Sequence, residues 1–376
     1  MKILIYGGTF DPVHIGHLKL FSAAVKEIKP DLCYIFTAYN SPYKEISQTP
    51  YNLRKLMAQK VFAPLHKKII FDDFEYKKHR KVYTFETVKY LKQKYPEAEI
   101  FILVGTDCAA TLTAWKNAEY NFKNAVFVIG LRPGFKVVKP KFKAHILKGT
   151  FPKIASNTLR LQIMLNGKTP KALLPAVAQI INKNLLYALH IHKWLKEHLK
   201  APRFNHVLAV AKEAAALAKI YGIDAEKAAL AGLLHDAGKS ITKDQMVAYA
   251  KKHKLKIRDF KELAKYAPAL LHADISAHIA KKQFAVKDGD ILKSIARHTL
   301  GAQNMSTFDK ILMISDMCAK GRRPEDIKLI KSALKKSLDD GLLAAEKVKL
   351  TYTVRTDKWL APQGIKLWNE TLSKKK

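Results

Sequence analysis

The run Tyr6-Gly7-Gly8-Thr9-Phe10-Asp11-Pro12-Val13-His14-Ile15-Gly16-His17 constrains the fold of this chain more than any other stretch. Ile3–Tyr6 ahead of it reads as a strand and His17–Ile28 behind it as a helix, so the run is a strand-to-helix turn. Paired glycines at the strand end let the backbone approach a ligand with no Cβ in the way. Asp11-Pro12 makes a turn. His14 and His17 fall three apart at the helix start and share one face; Gly16 keeps the space between them open. Backbone N–H groups with two imidazoles at a helix N-terminus suit a polyphosphate. A single histidine in such a place is ordinarily a surface or capping residue; the ordered combination carries the reading.

Strand and helix signals alternate through the first half. Leu32–Thr37, Ile100–Val104 and Ala125–Ile129 read as strands, Leu53–Phe62 and Phe85–Lys94 as helices, which predicts a parallel, doubly wound sheet. The pattern changes near residue 190. Val207–Ile220, Ala225–Leu234, Lys243–His253, Asp274–Phe284, Gly289–His298 and Phe308–Cys318 carry apolar residues at helical spacing, and strand signals almost vanish. A length of 376 residues accommodates both parts. The expected organisation is an α/β Rossmann-like domain over 1–190, an all-α domain over 191–350 and a C-terminal extension over 351–376 with a frayed end. No Gly/Ser linker interrupts Tyr187–Lys196, which allows a continuous helix between the halves.

The Gly7–His17 run resembles the HxGH nucleotidyltransferases, and later stretches narrow the resemblance to the bacterial nicotinate-nucleotide adenylyltransferase family. Gly105-Thr106-Asp107 and Trp115-Lys116 look like that family's Gly-x-Asp and Trp-Lys pairs. Arg132-Pro133-Gly134, Ser156-Asn157-Thr158-Leu159-Arg160 and Tyr83-Thr84-Phe85-Glu86-Thr87 are similar to further family motifs, as is Leu174-Pro175-Ala176-Val177. The likeness spans about residues 1–188. Two positions depart from it: Tyr43 stands where the family has histidine in Pro42-Tyr43-Lys44, and Asn157 where it has serine. The resemblance implies transfer of AMP from ATP, with Mg²⁺, to nicotinate mononucleotide. His14, His17, Lys44 and Arg160 would position the phosphates and neutralise their charge. Gly7, Gly8, Thr9, Phe10, Asp11, Arg132, Ser156 and Thr158 would contact the nucleotides. Thr84, Phe85, Gly105, Thr106, Asp107 and Trp115 would form the nicotinate side. From the residues themselves, Ser156 or Thr158 can cap the helix that follows, and Arg160 then points at a phosphate.

A second constellation is Leu233-Leu234-His235-Asp236-Ala237-Gly238-Lys239. An adjacent His-Asp pair at the end of an apolar helix sets two metal-binding groups beside a core. His206 lies upstream, and His272, His298 and Asp316 lie downstream, each on or at the end of a predicted helix. Imidazole and carboxylate together suit Fe, Mn or Zn. These stretches resemble the HD-domain phosphohydrolases, and most closely the symmetrical diadenosine tetraphosphate hydrolases, over about residues 192–350. The resemblance implies His206, His235, Asp236 and Asp316 as metal ligands and Asp236 as the group orienting the attacking water. It implies His206, Lys239, His272, His298 and Thr299 as nucleotide or phosphate contacts, with a second metal at the two histidines left open. After Asp316 the chain reads Met317-Cys318-Ala319 instead of the family's Glu-Pro-x-Arg; Arg322 stands near that arginine's place.

Net charge is +35, with 67 basic and 32 acidic residues. Ten of the basic residues are Arg. A nucleic-acid reader built on bidentate contacts would use more of them, so the excess fits anionic small substrates or compositional drift. Cys33, Cys108 and Cys318 form no CxxC pair, which fits a reducing cytoplasm. No signal peptide or membrane-length apolar run is read. The alternatives are another nucleotide for the HD half, nicotinamide mononucleotide for the transferase half, or a nucleotide-sensing or nucleic-acid-binding regulator. Homo-oligomerisation is left open.

Overall fold

The computed structural model describes residues 1–39, 49–133 and 142–374. The chain divides into two compact units, 1–162 with 169–186 and 163–168 with 187–376.

The first unit is organised by a sheet of β1 (Lys2–Gly8), β2 (Leu32–Thr37), β3 (Ile69–Asp72), β4 (Glu99–Gly105), β5 (Val126–Gly130) and β6 (Ala144–Ile146). Its order is β3-β2-β1-β4-β5-β6 and every pairing is parallel. Helices α1 (Ile15–Ile28), α2 (Tyr51–Phe62), α3 (Phe74–Lys77), α4 (Thr84–Lys94), α5 (Thr106–Ala109), α6 (Ala118–Asn124), α7 (Ser156–Asn166) and α8 (Pro175–Lys183) complete the alternation. The strands are near-continuous apolar runs because a parallel sheet is covered on both faces; Ile3, Ile5, Phe36, Ile102 and Phe127 are buried in one cluster. From β1 the chain steps outward through β2 and β3, then returns to β4 on the other side of β1. That reversal makes a switch point at the carboxyl ends of β1 and β4, where open α/β sheets form their ligand crevice. Gly8 and Gly105 end those two strands.

The second unit is helical: α9 (Leu189–His198), α10 (Ala201–Ile220), α11 (Ala225–Leu234), α12 (Lys243–Lys252), α13 (Phe260–Tyr266), α14 (His272–Gln283), α15 (Gly289–Arg297), α16 (Thr307–Cys318), α17 (Pro324–Leu334), α18 (Leu338–Arg355) and α19 (Pro362–Ser373). Gly232 brings α11 against α10: a Cβ there would lie 2.6 Å from Ala211 Cα. The segment expected as a C-terminal extension holds the end of α18 and all of α19.

Two sequence expectations are corrected. The halves are not joined by a continuous helix: α8 ends at Lys183 and α9 starts at Leu189, and between them Leu185, Tyr187 and Ala188 take φ of 48°, 54° and 69°. Left-handed backbone cannot propagate a right-handed helix. The helix read from Val207 begins six residues earlier, at Ala201, with Pro202 in its first turn, where a proline's missing N–H costs nothing, and so includes His206. Among the described residues, no helix is long and apolar enough to cross a membrane.

Candidate active sites

The loop from Thr9 to His14 links β1 to α1 at the switch point. His14 is the N-cap of α1 and His17 its third residue, and the two close a reciprocal capping box. His17 N donates to His14 Nδ1 at 3.4 Å, and His14 N donates to His17 Nδ1 at 3.2 Å. The rings stack with centroids 3.7 Å apart. With each Nδ1 an acceptor, the neutral rings carry their proton on Nε2, a donor for phosphate oxygen. A Cβ on Gly16 would press within 3.0 Å of the His14 ring, so glycine is what lets this pair pack.

Arginine fixes the loop from two sides. Arg160 Nη1, on α7, donates to Asp11 O at 2.7 Å and lies 3.9 Å from its Oδ2. Ser156 Oγ donates to Pro12 O at 3.0 Å, so Ser156 ties α7 to the loop through its own hydroxyl hydrogen. Thr158 is the third residue of α7, and its N–H donates to Asn157 Oδ1. Arg54, which the sequence reading passed over, is buried and donates to Thr9 O (2.9 Å), Ala38 O (2.7 Å), Tyr39 O (3.1 Å) and Thr49 O (3.0 Å). Its guanidinium thereby clamps the ends of β1 and β2.

Across the switch point, Thr106 Oγ1 donates to Gly130 O at 3.0 Å and accepts from Arg132 N at 2.7 Å. Arg132 Nη1 lies 3.2 Å from Asp107 Oδ2. Lys116 Nζ stands 4.8 Å over the Tyr83 ring, and Tyr83 stacks on Phe85 at 6.4 Å, which joins the Trp115-Lys116 and Tyr83–Thr87 stretches. Trp115 is half-buried against the sheet core. Tyr6 connects the clusters: its ring is 6.2 Å from His17, and its hydroxyl, pushed far up by burial, feels Arg132 and Asp107. A Cβ on Gly7 would meet nothing within 4 Å, and one on Gly8 would touch the Phe10 ring. Lys44 and Gly134 lie outside the described residues.

In the second unit, five helices and the turn after α11 bring every anticipated side chain to one place. His206 Nε2 faces Asp316 Oδ1 at 2.9 Å and Asp236 Oδ2 at 4.0 Å. His235 Nε2 lies 3.6 Å from Asp236 Oδ2 and 3.9 Å from Asp316 Oδ1. His272 Nε2 and His298 Nε2 lie 3.2 and 3.9 Å from Asp236 Oδ1 and 3.3 Å from each other. Thr299 Oγ1 sits 3.1 Å from the first and 2.9 Å from the second.

The backbone sets the tautomers. Nδ1 of His235, His272 and His298 each donates at 2.7 Å to a carbonyl three residues earlier: Gly232, Ala269 and Ile295. Each Nε2 then presents a lone pair inward, as metal-binding histidines do. The Nε2 atoms of His206 and His235 are buried and make no well-formed hydrogen bond. Ligand atoms of His206, His235 and Asp316 all lie within 4.8 Å of one another, as do those of His235, Asp236 and His298. Imidazole with carboxylate at this spacing fits a divalent transition metal.

Charge around the cluster is balanced from outside. Arg203 Nη1 donates to Asp236 Oδ2 at 2.7 Å, and Arg322 Nη2 to Asp316 Oδ1 at 2.8 Å. Burial alone would raise both carboxyls. The neighbouring imidazoles hold Asp236 well below the usual carboxylate range, and His206 with Arg322 does the same for Asp316. Burial pushes the His298 imidazole down to about 3, with His235 and His272 adding to it. Burial lowers the Lys239 ammonium, and Asp236 partly restores it. Gly238 N donates to Ser276 Oγ at 2.8 Å, seating the turn Ala237–Ser240 on α14.

A cytidylyltransferase-like family model matches residues 5–169, and an HD-domain model matches residues 203–321. A Mycoplasma genitalium protein described as a probable nicotinate-nucleotide adenylyltransferase/Ap4A hydrolase is 30% identical over 349 residues, covering 89% of this chain and 95% of the relative. A probable nicotinate-nucleotide adenylyltransferase of Nitratiruptor sp. is 35% identical over 143 residues, 38% of this chain and 80% of the relative. A symmetrical bis(5'-nucleosyl)-tetraphosphatase of Halalkalibacterium halodurans is 29% identical over 182 residues, 48% of this chain and 95% of the relative.

Proposed function

The chain belongs to the nicotinate-nucleotide adenylyltransferase/Ap4A hydrolase family, and from that premise we propose how its two units divide the work. Residues 1–190 transfer AMP from ATP to nicotinate mononucleotide, giving deamido-NAD and pyrophosphate. Residues 191–350 hydrolyse diadenosine tetraphosphate to two ADP.

In the transferase the mononucleotide phosphate attacks the α-phosphorus of ATP in line and pyrophosphate leaves. No side-chain nucleophile is required, so the catalytic work is positioning and charge neutralisation. The observation that carries this reading is the reciprocal His14–His17 pair at the switch point, with Nε2–H donors set for phosphate oxygens. Gly7, Gly8, Thr9, Phe10 and Asp11 line the ATP phosphates, with Lys44 and Arg160 adding positive charge; ATP enters as its Mg²⁺ complex. Arg132, Ser156 and Thr158 serve the nucleotide. Thr84, Phe85, Gly105, Thr106, Asp107 and Trp115 form the nicotinate side.

In the hydrolase, His206, His235, Asp236 and Asp316 would hold a divalent transition metal, Fe, Mn or a similar ion. When bound, such an ion makes a water acidic and draws electrons from the phosphoryl oxygen. Asp236 orients that water. Lys239 and Thr299 bind the polyphosphate and His206 flanks it; His272 and His298, whose Nε2 lone pairs point inward, would contact it through a second metal. What carries this reading is the convergence of seven imidazole, carboxylate and hydroxyl groups, four imidazoles, two carboxylates and one hydroxyl, on one buried point.

Two assays on one preparation test both readings: mononucleotide with ATP and Mg²⁺, and diadenosine tetraphosphate with Fe²⁺ or Mn²⁺. His17→Ala should remove only the first activity and Asp236→Ala only the second. Loss of both from either change, in folded protein, overturns the assignment of two independent sites.

A further inference from the structure

Glu346 and Lys349 stand one turn apart on α18, beyond the stretch matched by the HD-domain model. Glu346 is 0% exposed, and its Oε2 has no hydrogen-bond partner. Lys349 Nζ lies 3.4 Å from Glu346 Oε1. A buried carboxylate is costly unless paired, and burial accordingly pushes Glu346 up while Lys349 draws it back. The same ammonium donates to the backbone carbonyl of Thr299.

That carbonyl lies just past the C-terminus of α15, where helix geometry leaves carbonyls without partners and a cation is favoured. Thr299 is also the residue whose hydroxyl lies between the Nε2 atoms of His272 and His298. The turn it starts is held further along by α19: Leu367 packs against Gly301, and Asn304 N donates to both carboxylate oxygens of Glu370 at 3.1 and 3.0 Å.

We infer that Lys349, fixed by the buried Glu346, is a positioning residue for the hydrolase: by anchoring the Thr299 carbonyl it holds the Thr299 hydroxyl between His272 and His298. The inference rests on the hydrolase reading above. It deepens that reading by making α18 part of the site.

Lys349→Met alone leaves Glu346 buried and unpaired, so lost folding would confuse the result. Replacing a buried ion pair by apolar residues of similar size is often tolerated. The test is therefore the full-length double variant Glu346→Leu/Lys349→Met, with thermal unfolding and transferase rate as folding controls. With both unchanged, kcat for diadenosine tetraphosphate should fall about tenfold or more at near-constant KM, because the lost interaction acts in the transition state. Lys349→Arg should return most of that rate. Adding Thr299→Val to the double variant should cost little more than Thr299→Val alone, because the two act through one contact. A double variant that hydrolyses at the wild-type rate, or losses that multiply, overturns the inference.

Should the wild-type protein leave diadenosine tetraphosphate intact, the substrate reading fails by itself. Positioning is then read from the imidazole nitrogen resonances of His272 and His298. Shifts in the double variant that reverse in Lys349→Arg support the inference, and unmoved resonances overturn it.

Discussion

Gly232→Ala puts one methyl group where α10 and α11 touch. The added Cβ would lie 2.6 Å from Ala211 Cα, 2.8 Å from Ala211 N and 3.1 Å from Val210 C. Carbon pairs settle at about 3.6 Å, so the first contact is short by about 1 Å. All three atoms are backbone, and no side chain can swing aside; the helices themselves must part. Overpacking of this kind costs about 1–3 kcal/mol. The larger effect is on geometry. His206 is on α10, His235 and Asp236 follow directly on α11, and the Gly232 carbonyl itself holds His235 Nδ1 at 2.7 Å. A displacement of about 1 Å in a reacting array reduces rate roughly 100-fold. Disturbing a histidine's outer partner weakens metal affinity about 10- to 100-fold. Hydrolysis of diadenosine tetraphosphate, metal content after desalting and unfolding temperature should all fall together. Transferase activity in the same preparation should stay. Wild-type hydrolysis and metal content in Gly232→Ala would refute the claim that the α10–α11 spacing sets the site.

Arg54→Met should remove the transferase and destabilise the first unit by about 3 kcal/mol or more, because buried carbonyls lose their donors at about 1–3 kcal/mol each; urea unfolding measures it. Glu75 has its carboxyl pushed by burial from 4.5 to about 7. Its contribution to stability is therefore full below its ordinary value and lost as pH rises through about 7. Glu75→Gln should raise the unfolding temperature relative to wild type at about pH 8.5 and lose that advantage at about pH 5; an unchanged difference across that range would contradict the buried-acid reading. Chelation followed by Mg²⁺ should restore the transferase alone, and Fe²⁺ or Mn²⁺ should restore the hydrolase; recovery of hydrolysis with no transition metal would count against the ligand set.

What could be read from the sequence depended on whether the interacting atoms were neighbours in it. Gly7–His17 is contiguous, so its glycines, turn and paired imidazoles announced the strand-to-helix crevice. The strands at the sheet edges escaped notice: β3 is four residues long and β6 only three, too short for an apolar run to stand out. Arg54 was invisible because its partners are main-chain carbonyls, which leave no trace in residue identity. The hydrolase cluster was legible through its resemblance to a family, as side chains from separate helices. The pairing of Arg203 with Asp236, and the reach of Lys349 to Thr299, depend on packing between elements 33 and 50 residues apart. The break at 184–188 was missed because its left-handed residues are Leu, Tyr and Ala, none of which advertises that conformation.

Helices usually begin on a serine, threonine or aspartate that exists only to begin them. Here the start of α1 is made by the same two imidazoles assigned to the phosphates. Inheritance of fold and of chemistry is therefore tied at this point. Replacing His14 or His17 by a residue that cannot cap would loosen the first turn of a core helix, at about 1 kcal/mol for a lost cap. Conversely, His14→Asn, which keeps a cap and discards the ring, is the substitution by which such a helix would first let its catalysis drift.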